Sequence, residues 1–159
     1  MPRAMPLVLI LATGLSSIVA NGHAQQSDTA APAPPEASQR ATTMQISIKL
    51  GDQVITATLA NNPTSRDFVS LLPLNLTLED HAATEKISYL PRKLSTEGAP
   101  PGSDPAVGDI AYYAPWGNLA VFYKDFRYSS GLINLGKIDG GAEALNVPGR
   151  LTATVELVR

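Results

Sequence analysis

Few side chains in this chain of 159 residues are equipped for chemistry. It contains no cysteine and two histidines, His23 and His81. A metal site needs several His, Cys or clustered carboxylate ligands, so none is expected, and no cofactor is expected either. A serine nucleophile would have to rely on His81 as its base, and no Gly-x-Ser-x-Gly elbow is present. No glycine-rich phosphate loop follows a strand-like stretch, and no basic run points to nucleic acid. What remains is a set suited to binding: Arg66, Arg92, Lys93, Glu97, Tyr113, Trp116 and Asn118. Aromatic surfaces combined with a few polar groups are the usual lining of a ligand pocket.

The elements that must position them are mostly strands. Gly108 to Phe126 reads as a hairpin with a Pro115-Trp116-Gly117-Asn118 turn, and it holds the only Trp of the chain. Apolar and polar residues alternate through Met44–Leu50, Val54–Leu59, Leu74–Glu79 and Leu151–Leu157, the signature of strands with one wet face. Gly51-Asp52 joins the first two as a tight turn. Lys86–Leu90 and Leu132–Ile138 are shorter strand candidates, Asp80–Thr84 is a turn that carries His81, and Ser129-Ser130-Gly131 is another turn. One helix is expected over Asn61–Leu72, about three turns long. Asn62 is placed to cap it, Pro63 fits its first position, Phe68, Leu71 and Leu72 share a face, and Pro73 stops it. Asp139–Leu145 reads as an irregular or single-turn helical piece. Arg92–Val107, with its Gly98-Ala99-Pro100-Pro101-Gly102 core, is a long loop of the kind that often carries function. Many short strands with one or two short helices argue for a closed β-barrel, because closure removes exposed edges.

The start of the chain has a different character. Residues 1–24 read as a secretory signal, with Arg3 as the positive end, an apolar run over Pro6–Ala20 and small residues at Gly22-His23-Ala24. That run is too short to span a bilayer comfortably, so no stable membrane anchor is expected after cleavage. Residues 25–43, rich in Ala, Pro, Ser and Gln, read as a flexible linker. The domain is expected over residues 44–159, in the periplasm or outside the cell.

Several of these stretches resemble the cyclophilin-like proteins of bacteria and archaea. They are Asn62-Pro63-Thr64-Ser65-Arg66-Asp67-Phe68, the exit Leu71-Leu72-Pro73-Leu74, Gly108-Asp109-Ile110-Ala111-Tyr112-Tyr113, Leu119 to Tyr123, and Leu135-Gly136-Lys137-Ile138. The resemblance covers Met44–Arg159 and implies an eight-stranded barrel with short helices at its ends. It implies little about activity, since most of these proteins have none assigned. True cyclophilins isomerise X–Pro bonds with an Arg beside an apolar groove. Their Phe-His-Arg run, Gln-Gly-Gly-Asp turn and Asn-Gly-Ser-Gln-Phe-Phe segment are absent, so no Arg here matches the catalytic one.

The function expected is a non-catalytic module that binds a small molecule or peptide, with weak prolyl isomerisation as the runner-up. Its site is expected at the barrel mouth, lined by Arg66, Arg92, Glu97, Tyr113, Trp116 and Asn118. Tyr113 has an alternative place in the core with its hydroxyl at the rim. Trp116 is expected to fold back over the barrel end as a plug; its alternative place is a ligand wall beside Gly98–Gly102. Asp109 has a structural alternative too, tying down its loop through backbone N–H groups.

Overall fold

In the computed structural model, which describes residues 43–159, the alternating stretches form the wall of a barrel. The strands are β1 (Met44–Leu50), β2 (Gln53–Leu59), β3 (Leu74–His81), β4 (Glu85–Tyr89), β5 (Gly102–Ser103), β6 (Asp109–Tyr113), β7 (Asn118–Phe122), β8 (Ser129–Ser130), β9 (Leu132–Ile138) and β10 (Leu151–Leu157). Eight of them close in the order β1-β10-β3-β4-β7-β6-β9-β2, and the short β5 and β8 pair separately. All pairings are antiparallel. The signal segment and all of the linker but Thr43 lie outside the described residues.

Alternation decides what fills the barrel. Ile46 and Ile48, Leu76 and Leu78, Leu119 and Val121, and Ala153 and Val155 all turn inward to one core cluster. Burying a side chain of that size stabilises the fold by about 1.5–3 kcal/mol. The ring closes where β2 meets β9, and there the backbones come very close. A Cβ on Gly136 would stand 2.3 Å from the carbonyl oxygen of Thr58, so only glycine fits.

Helix α1 (Pro63–Val69) begins as its residues dictate. The Asn62 side chain accepts from the Ser65 N–H, and proline takes the first turn. Two further bonds dock it on β9: Ser65 Oγ to the Leu135 carbonyl (3.0 Å) and Asn62 Nδ2 to that of Asn134 (3.1 Å). Phe68 is thereby buried in the core. The helix is shorter than the three turns expected. Leu71 and Leu72 donate to the carbonyls of Phe68 and Val69, a tighter turn that ends the helix while both side chains still reach the core. Pro73 disfavours the helical conformation at the residue before it, which accounts for the early exit. The piece near Leu145 is a single 3-10 turn over Ala142–Leu145.

Three other expectations change. His81 is the last residue of β3 rather than part of a turn. The turn itself is carried by Ala82 and Ala83, both with positive φ (50° and 53°). Ser129 and Ser130 pair with Ser103 and Gly102, so only Gly131 keeps a turn conformation there. Two irregular segments are thus bound together, with Phe126 N–H donating to the Pro105 carbonyl and Val107 N–H to the Asp125 carboxylate.

Lys86 is the unexpected occupant of the interior. It faces inward and is fully buried. Its Nζ donates to the carbonyls of Val147 (2.6 Å) and Gly149 (2.8 Å) and pairs with Asp80 at 3.0 Å. Asp80 also accepts from the Tyr123 hydroxyl and the Gly149 N–H. These bonds hold its carboxyl below the ordinary range, that from Lys86 foremost, while burial and the Asp80 bond raise the Tyr123 phenol. A buried ammonium is tolerable only when satisfied in this way. The group fastens the Asn146–Arg150 loop to the barrel.

Candidate functional site

The opposite face of the same strands carries the candidate site. On β7, Leu119 and Val121 enter the core, so Asn118, Ala120 and Phe122 face outward. Ala111, Ala120, Phe122 and Leu132 form a second, small apolar cluster on that outer face, with Ile87 and Tyr113 against it. A pocket of about 160 Å³ opens beside them. It is lined by His81, Glu85, Tyr113, Trp116, Asn118, Ala120, Phe122, Phe126, Ser129 and Leu132. This cavity lies on the outer wall and not at the expected barrel mouth. The barrel interior is filled by its own side chains, and the pocket forms where the Phe126 segment borders the outer wall.

Three of the candidate residues come together here. Tyr113 and Asn118 face each other across the β6–β7 hairpin, and Trp116 sits in the loop between them. The Gly117 N–H closes that loop on the Tyr113 carbonyl at 2.8 Å. Trp116 does not plug the barrel. Its side chain is held by two edge contacts, with the Tyr113 ring at 5.3 Å and 81° and the His81 ring at 5.4 Å and 89°. The residue is 49% exposed. The indole thus has as its ring neighbours His81 and Tyr113, which line the outer-wall pocket with it.

The other three expected lining residues lie elsewhere, two of them engaged by other side chains. Arg92 grips Asp67 and the Ser70 hydroxyl, and Arg66 donates to the Asn61 side chain at 2.6 Å. Glu97 is exposed in the long loop. Asp109 follows its structural alternative, accepting from the Ala106 N–H at 3.0 Å.

His81 and Glu85 had no place in the expected site. They face each other across the β3–β4 hairpin and both line the pocket. Partial burial raises the Glu85 carboxyl above its usual range, offset in part by His81. Ser129 Oγ donates to the Arg127 carbonyl at 3.4 Å, not to His81, so no Ser–His pair is formed among the described residues. Nor do three or more His, Asp or Glu side chains converge among them.

The most telling atom is Asn118 Oδ1. Asn118 is 1% exposed, and its Nδ2 donates to the Leu119 carbonyl at 3.2 Å. Its Oδ1 is buried with no donor. Such orphaned acceptors are uncommon and costly, and this one belongs to a residue that lines the pocket.

A model of the cyclophilin-like family matches residues 48–156. The chain belongs to the cyclophilin-like family. The match spans the barrel from β1 to β10 and takes in every residue of the pocket. A hypothetical protein from Archaeoglobus fulgidus, solved in solution, has a similar structure. The TM-score is 0.55 at 18% identity, covering 75% of this chain and 98% of that one. At that identity the likeness concerns the cyclophilin-like fold alone. No curated protein matches the sequence.

Proposed function

We propose that this cyclophilin-like domain is a non-catalytic binding module, and that its outer-wall pocket receives one small group of a ligand or one side chain of a peptide. The buried, donorless Asn118 Oδ1 in an aromatic-walled pocket carries the reading. Size supports it as well. A cavity of ~150 Å³ is known to take a benzene ring, whereas sites for whole drug-sized molecules start at roughly 300 Å³. The pocket at about 160 Å³ suits a single headgroup or ring. The test is a fragment screen followed by amide and side-chain NMR. Binding should perturb Tyr113, Trp116 and Asn118 together; fragments that shift only another face of the barrel would remove the proposal.

Weak prolyl isomerisation is the second reading, favoured by the match between a proline ring and a ring-sized apolar pocket. Against it, no Arg or Lys lines the pocket among the described residues. Export is proposed on the N-terminal residues, and the intact mass of the exported protein tests it. Cleavage after Ala24 leaves Gln25 first; a mass that retains residues 1–24 would refute it.

A further inference from the structure

We infer that the pocket is a cation site, which takes an alkylated ammonium group against the rings of Tyr113, Trp116 and Phe126 with the Glu85 carboxylate as counter-charge. The inference rests on the pocket being a ligand site, and it names the ligand's chemical class.

Shape is the first ground. The Tyr113 and His81 rings both meet Trp116 close to right angles. The three rings that meet there all line the pocket, and they bring aromatic surface to it from more than one direction. Aromatic faces also attract cations through their quadrupole, more strongly where water is excluded. The Phe126 ring at the rim already draws one, the Arg127 guanidinium at 5.3 Å.

Charge is the second ground. The lining supplies a carboxylate and a buried carbonyl oxygen and among the described residues contains no Lys or Arg, the Arg127 guanidinium over the Phe126 ring lying outside it. An anion would meet Glu85 and Asn118 Oδ1 head-on. A neutral hydrocarbon group would leave Glu85 further desolvated and Oδ1 without a partner, and both cost free energy. A cation offsets the Glu85 penalty by charge, and its positive field, though not an N–H when the nitrogen is quaternary, also suits the Asn118 carbonyl dipole. Burial raises the Glu85 carboxyl, with His81 offsetting it in part, and a bound cation would favour its ionised form.

Choline and 3,3-dimethyl-1-butanol, which share a shape and differ in the quaternary nitrogen, separate the possibilities. Each is titrated into the purified protein while the emission of Trp116, the only Trp, is followed. Choline should bind at least about tenfold more tightly than the neutral alcohol. Glu85→Gln should weaken choline by a similar factor and leave the alcohol unchanged or somewhat tighter, since the desolvation of the carboxylate is then removed. Tyr113→Leu, which keeps apolar bulk and removes a π face, should likewise weaken choline selectively; melting curves establish that both variants are folded. Equal or tighter binding of the alcohol, or choline binding indifferent to both substitutions, overturns the cation inference and leaves the pocket standing as a binding site. Failure of both compounds up to high millimolar concentration overturns the pocket reading together with it.

Discussion

Asp67 and Arg92 hold each other through both carboxylate oxygens, Nη2 to Oδ1 at 2.6 Å and Nη1 to Oδ2 at 2.9 Å. Asp67 also accepts the Ser95 N–H at 2.7 Å, so a single helix residue anchors the start of the long loop. The Arg92 bond is the main cause that lowers the Asp67 carboxyl from 3.8 to about 2. A group depressed on folding stabilises the native state above its unfolded value and loses that contribution as pH falls through its folded one. Wild type should therefore melt higher than Asp67→Asn at neutral pH, and the gap should close between about pH 4 and pH 2. The pair is partly exposed, so the gap should be modest and shrink with salt. Melting curves across that pH range check it; a gap that widens toward pH 2 would contradict the assignment.

The exposure of Trp116 sets its stability cost. Trp116→Ala should cost clearly less than a fully buried ring, about 1 kcal/mol for its edge contacts plus the area of a half-exposed indole. Phe122→Ala, at a fully buried ring in the same pocket, should lose about 3–5 kcal/mol. Urea unfolding of the two variants side by side tests the contrast. Trp116 emission in the free protein should be red and readily quenched.

Ala82 and Ala83 form the tip of the β3–β4 hairpin with φ of 50° and 53°. Side chains other than glycine pay roughly 1–2 kcal/mol in that region. Ala83→Gly should accordingly raise stability by about 1 kcal/mol, less whatever the unfolded chain gains in freedom. A lower melting temperature for this variant would argue against the turn.

Prolyl isomerisation should be absent or very weak, because among the described residues no guanidinium lines the pocket to polarise an X–Pro amide. In a proline-peptide assay the protein should leave the uncatalysed relaxation, tens to hundreds of seconds, nearly unchanged. Clear acceleration that disappears on replacing Arg127, which lies against Phe126 at the rim, would reverse this.

Local rules made much of this molecule legible from its residues. Met44–Leu50 and Leu151–Leu157 alternate, and period-two alternation needs no distant partner to be read. Asn62 and Pro63 announced the helix start, and Asp109 announced its loop tie, since both act within three residues. Tertiary structure decided the rest. Lys86 looks like a surface residue until closure brings it the carbonyls of Val147 and Gly149, more than 60 positions away. His81 joins Trp116 only because β3, β4 and β7 lie side by side. That register also exposes the indole and leaves Asn118 Oδ1 without a donor beside the pocket. Alternation states that a strand has two faces. Only the pairing of strands, a non-local choice made by the whole barrel, determines which residues each face meets.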